Sequence, residues 1–159
     1  MDEIKNLLQK YREKIIQVRR DLHRIPETAY TESKTAEYVA TYLDSLGLAV
    51  TAGIAKFGVL GARTFSESGK TLMLRSELDA LPVKEETDLP FASTHNGAMH
   101  ACGHDGHMAM VLGAATVLSE LADQLAGHIK FVFQPAEEGL GGARTMVEDG
   151  VLSNPTPDF

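Results

Sequence analysis

A thiol, an imidazole and a pair of adjacent carboxylates are the groups in this chain best suited to chemistry. The first two stand two residues apart in His100-Ala101-Cys102-Gly103-His104-Asp105, and the carboxylates lie side by side in Gln134-Pro135-Ala136-Glu137-Glu138-Gly139. A Cys, a His and a Glu can hold a metal ion, and a second Glu beside them can activate water. That is the outline of a metal-dependent hydrolase.

Each group also has a plainer reading. In an extended segment, side chains at i and i+2 point the same way, so Cys102 and His104 can reach one ion. A lone Cys, however, is more often a small buried hydrophobe than a ligand. Glu137 and Glu138 follow an apolar run, where two carboxylates are costly unless a cation compensates them. Adjacent side chains diverge, so one can bind the ion while its neighbour serves as general base toward water. The plainer reading is a solvated acidic turn. Glu77 and Asp79 end another apolar run, and either can orient a metal-ligating His; otherwise they are surface carboxylates. His100 and His107 flank the pair. His107 suits a supporting or substrate contact, and both also fit satisfied structural histidines. Asp105 is a candidate N-cap. Cys102 as a nucleophile with a His as base is the rival chemistry, but it leaves Glu137 and Glu138 without a role. The chain has neither a Gly-x-Ser-x-Gly elbow nor a phosphate-binding Walker loop.

The elements that must position these groups follow from periodicity. Apolar residues at Ile4, Leu7, Leu8, Tyr11, Ile15, Val18 and Leu22 predict an amphipathic helix that ends before Pro26. Thr31 is the expected N-cap of a second helix running to Leu46, with Gly47 beyond its end. Residues 48–52, 58–63 and 71–75 read as short strands. A long loop then runs from Ser76 to about Met99, a length that marks function or disorder. A largely apolar helix is expected over 106–121 and a buried strand over 128–134. A turn follows to Gly142, then a short helix over 143–148 and a loop-like tail. Strands joined by crossover helices imply an α/β sheet with helices on its faces. Both chemical motifs fall at strand ends or helix starts, where open α/β sheets gather ligands.

Composition narrows the class. Hydrophobic residues make up 43% of the 159 and charged residues 23%, which suits one globular domain. Acidic residues outnumber basic ones 22 to 15, net charge −7, with no Lys/Arg block, so a nucleic-acid partner is not expected. No apolar run is long enough to span a bilayer, so no membrane partner is expected. The charged start, Met1-Asp2-Glu3-Ile4-Lys5, has no signal-peptide core. A single Cys excludes an internal disulfide framework. Together these features make a cytoplasmic location the expectation.

Four stretches occur together in a telling order: Asp21 to Glu27, Leu74 to Pro82, Met99 to Met108, and Phe133 to Ala143 with Met146 and Gly150. They resemble the N-terminal part of M20-family metallopeptidases, in the amidohydrolase subgroup of N-acyl-amino-acid, hippurate and auxin-conjugate hydrolases. The resemblance covers most of the chain from residue 19 onward. It implies a zinc-peptidase-like α/β catalytic domain with helices on both faces, of which residues 1–159 are the part preceding the lid or dimerisation domain. It implies two divalent metal ions, zinc or manganese first and cobalt or nickel next. It also implies Cys102 as the ligand bridging the ions, His104 and Glu138 as further ligands, Glu137 as catalytic general base and Asp79 as the acid that orients the site. Glu77 departs from the subgroup's Asp but keeps its charge. Two further His ligands of such enzymes are expected beyond residue 159, and His23, His95 and His128 do not stand in their positions.

The expected activity is hydrolysis of amide bonds in N-acyl amino acids or small peptides. The alternatives are a metal-binding fragment of such an enzyme without turnover, and a cysteine hydrolase using Cys102. An α/β sheet cut short would expose apolar edges, which leaves a homo-oligomer open.

Overall fold

Two helices open the chain, and each buries one stripe. The structure, a computed structural model, describes residues 2–139 and 141–159. Helix α1 spans Asp2–His23, with Asp2 and Glu3 in its first turn and Arg20 and His23 in its last, the charge order the helix dipole favours. Its buried Val18 and Leu22 join the main core. Helix α2 spans Ser33–Ser45. The expected cap Thr31 is not used; its hydroxyl donates instead to the Thr28 carbonyl at 2.6 Å. Glu32 occupies the cap position without capping. It turns inward, fully buried, and its Oε1 accepts the Ala136 N–H at 2.8 Å. Gly47, at φ +73°, follows the end of α2 as the left-handed terminator.

Strands β1 (Ala49–Ile54), β2 (Gly58–Thr64), β3 (Thr71–Glu77) and β4 (His128–Gln134) form one sheet in the order β1-β2-β4-β3. The β1–β2 and β2–β4 pairs are antiparallel, and β3–β4 is parallel. A parallel pair needs a long crossover, here supplied by helix α3 (His104–Glu120) and the loop before it. Side chains alternate across β4. Ile129, Phe131 and Phe133 enter the core shared with α1, α2 and α3, while Val132 packs with Met146 of helix α4 (Gly142–Glu148) on the other face. Helices thus cover both faces of an α/β sheet, as expected. Lys130 also lies on the α4 side. Its buried Nζ donates to the carbonyls of Val151, Ser153 and Pro155 at 2.9, 2.6 and 3.0 Å, which offsets the cost of burying the charge.

Several element bounds differ from expectation by one or two residues. Strand β3 runs two residues past Arg75, to Glu77, and α3 begins at His104 rather than Gly106. The long loop after β3 is neither free nor disordered. Ala80 N–H donates to the Glu27 carbonyl at 2.8 Å, and Leu81 and Met99 exchange both backbone hydrogen bonds at 3.0 Å. The tail is tied down as well: Asp158 N–H donates to the Thr71 carbonyl and Met73 N–H to the Phe159 carbonyl, both at 2.9 Å, along the outer edge of β3. Among the described residues, no helix is long and apolar enough to cross a membrane.

Candidate metal centre

The parallel pairing of β3 and β4 sets Glu77 level with Gln134, so the chain leaves both strands at the same end of the sheet. Leu78 and Asp79 follow β3, Pro135 to Glu138 follow β4, and the N-terminus of α3 adjoins them. Gly103 precedes α3 at φ +91°, a conformation other residues adopt only under strain; Cys102 lies just outside the helix and His104 is its first residue. Gly142 is equally demanding. A Cβ there would stand 1.7 Å from the Pro135 carbonyl oxygen, so only glycine lets α4 start against the turn that carries the two glutamates.

Ligand atoms of Cys102, His104 and Glu138 all lie within 4.8 Å of one another. Asp79, wholly buried, frames them. Its carbonyl accepts the His104 Nδ1–H at 2.7 Å and its Oδ2 accepts the Glu138 N–H at 2.9 Å. Burial alone would raise the Asp79 carboxyl, but the hydrogen bonds from His104 and from the Glu138 and Glu137 backbones hold it below its ordinary value. His104 shows the converse. Burial would lower it, yet its bonds to Asp79 and the charges of Glu77 and Asp79 raise it to about 9. Because Nδ1 is committed to Asp79, the Nε2 of His104 is the nitrogen left for a ligand. Glu137 stands apart from the ligand group, its Oε2 3.7 Å from His104 Nε2 and its side chain 39% exposed. The Cys102 thiol is exposed and faces Glu138, whose hydrogen bond, with burial and the charges of Glu138, Glu137 and Glu77, pushes the thiol up.

This donor set suits a divalent cation. Thiol, imidazole and carboxylate converge from three segments, and carboxylates surround groups that must lose protons to coordinate. The expected trio of Cys102, His104 and Glu138 is brought together, with Asp79 beneath and Glu137 beside it.

The remaining histidines and acids differ from expectation. Glu77 and Asp79 are both buried, not surface carboxylates. Glu77 Oε2 meets His107 Nδ1 at 2.8 Å, while its Oε1 pairs with Arg75. Asp105 is not an N-cap. It is fully buried within α3, and its Oδ2 accepts from His23 Nδ1 at 2.7 Å and from Arg19 at 2.8 Å. The other ring nitrogen of His23 lies 3.2 Å from Glu85, and Phe91 packs edge-on against the His23 ring. His100 is buried but not satisfied. Neither ring nitrogen has a hydrogen-bond partner among the described residues, and burial pushes it down to about 4. Arg19, His23 and Glu85 had no assigned role in the sequence reading. The signal was there in part: Arg19 and His23 are four apart, one turn along α1.

Fold and donors together define an α/β domain of the metallopeptidase type. The chain belongs to peptidase family M20/M25/M40, whose sequence profile matches residues 73–159. It is 46% identical over 156 residues to thermostable carboxypeptidase 1 of Saccharolobus solfataricus, covering 96% of this chain and 40% of that protein. It is 43% identical over 152 residues to the N-acyl-L-amino acid amidohydrolase of Geobacillus stearothermophilus, covering 95% and 41%. The crystal structure of a dinuclear metal binding peptidase of the M20 family from Bacillus subtilis superposes with a TM-score of 0.85 at 39% identity, over 91% of this chain and 40% of that one. The chain therefore spans about 40% of the length of these relatives.

Proposed function

We propose that this protein takes part in metal-dependent hydrolysis of the amide bond of N-acyl amino acids or small peptides. Cys102, His104 and Glu138 would hold two divalent ions, zinc or manganese, together with donors from outside these residues. The observation that carries the reading is the meeting of those three donors within 4.8 Å, with the Glu137 carboxylate left beside them. Divalent ions at such a place polarise an amide carbonyl and acidify water. Asp79 turns His104 so that Nε2 faces the ligand position. Glu137, outside the ligand group, takes a proton from water and returns it to the departing amine. The amidohydrolase relative, and an N-acetyldiaminopimelate deacetylase of Listeria innocua that is 47% identical over 146 residues, support the substrate class.

A nucleophilic role for Cys102 is disfavoured by its surroundings. The reactive form is the thiolate, and the neighbouring carboxylates hold the proton on. The other reading is a metal-binding protein without turnover of its own. Glu137→Gln in the metal-loaded protein tests the proposal with N-acetyl amino acids as substrate. Turnover should fall by about 10²-fold or more while metal content stays unchanged. Undiminished turnover would remove Glu137 from its role, and metal uptake without any hydrolysis by the wild type would leave the metal-binding reading.

A further inference from the structure

His104 serves a second group of donors as well. His104 and His107 are three residues apart on α3, so both side chains lie on one helix face, with ring centroids 5.7 Å apart. Glu77 arrives from the end of β3. Donor atoms of Glu77, His104 and His107 all lie within 4.8 Å of one another. From these positions we propose that Glu77, His104 and His107 form an alternative, sulfur-free site for one divalent cation, exclusive with the Cys102–His104–Glu138 set.

Exclusivity follows from the ring chemistry. His104 Nδ1 is committed to the Asp79 carbonyl, which leaves one lone pair, on Nε2, and one lone pair binds one cation. The donor classes also differ. Two imidazoles and one carboxylate suit iron(II), cobalt, nickel or manganese with open positions for water, whereas a thiolate favours softer ions such as zinc. Access is open on this side: the His107 side chain is 47% exposed, and a Cβ at the neighbouring Gly106 would meet nothing within 4 Å. The start of a helix repels a cation. The Glu77 carboxylate, which now meets His107 with one oxygen and Arg75 with the other, supplies an opposing charge. Which ion is offered therefore decides which donor set shares the His104 Nε2. This site shares His104 with the hydrolytic reading but uses neither Cys102 nor Glu137, so the two are tested by different variants.

Cobalt(II) alone, titrated into the full chain and followed by absorption, tests this. Wild type should show a thiolate-to-cobalt charge-transfer band, which reads the Cys102 set; its absence would count against that set and not against this one. Cys102→Ser should bind cobalt without the band, to within about tenfold of wild-type affinity, as expected of a site that needs no sulfur. Adding His107→Ala or Glu77→Gln to Cys102→Ser should then weaken cobalt by about tenfold or more. The proposal is overturned if Cys102→Ser, or Cys102→Ala should the serine disturb folding, abolishes cobalt uptake with an unchanged melting temperature. It is equally overturned if the double variants bind cobalt as tightly as Cys102→Ser alone.

Discussion

The exposed mouth of the candidate metal centre and a buried floor of His23, Glu85 and Asp105 use the same residue types to opposite ends. At the mouth, Cys102 is exposed, and Glu137 and His107 are each more than a third exposed. Their polar atoms converge without cancelling one another. At the floor, His23, Glu85 and Asp105 are almost wholly buried, and both nitrogens of His23 meet carboxylates. A buried charge without a partner is expensive, so floor residues must be paired, whereas mouth residues can keep free valence for an incoming ligand. Imidazole beside carboxylate is thus chemistry in one place and architecture in the other, and solvent access separates the two.

If that division is right, variants should separate activity from stability. Glu137→Gln has the largest expected effect, a loss of about 10²- to 10⁴-fold in turnover with little change in melting temperature. A matching loss of stability would move Glu137 to the floor. Next comes His23→Ala, which takes one partner from Asp105, leaving it Arg19, and one from Glu85, leaving it Thr87 and the Ser93 N–H; denaturant titration should show about 1–3 kcal/mol less stability, with metal affinity nearly unchanged in the folded fraction. A metal-affinity loss at unaltered stability would invert the comparison. Asp79→Asn straddles the boundary, since it keeps the shape and the backbone carbonyl that holds His104 Nδ1 but removes the buried charge near that ring. Calorimetric titration with zinc should weaken by about 10- to 100-fold.

The smallest effect is at Glu32. Burial holds its carboxyl above the usual 4.5, outweighing its backbone hydrogen bonds. The folded state therefore keeps that proton more readily than the unfolded chain does. This contribution is fully present below the ordinary carboxylate pKa and is lost as pH rises through the folded value. Glu32→Gln should flatten the resulting change in melting temperature between about pH 4 and pH 7 while altering stability by less than about 1 kcal/mol at neutral pH. An unchanged pH profile would show that Glu32 is not the source.

What the chain disclosed in advance was governed by sequence distance. Helix α1 and strand β4 were legible because their apolar spacing is local, and Cys102, His104, Glu137 and Glu138 because each pair sits within three residues. The partners of Glu32 and Asp105 were not. Glu32 meets Ala136 across 104 positions and His23 meets Asp105 across 82, the first set by where β4 ends and the second by how α1 packs on α3. Local rules instead favoured Thr31 and Asp105 as caps, and tertiary contacts claimed both neighbourhoods. The tail is loop, as expected, but its anchor was hidden for the same reason: the edge of β3 begins more than eighty residues earlier.

The hydrogen bond from Glu138 N–H to Asp79 spans 59 residues, and β4 must pair with β3 before it can form. During synthesis, a chain that has emerged only as far as Cys102 and His104 carries two isolated soft donors and no cage. The Cys102–His104–Glu138 set can form only once residue 138 has been made and its strand has docked. Under the proposed reading, capture by that set is a late event in assembly, and a chain misfolded at β4 would keep only the sulfur-free donors of Glu77, His104 and His107.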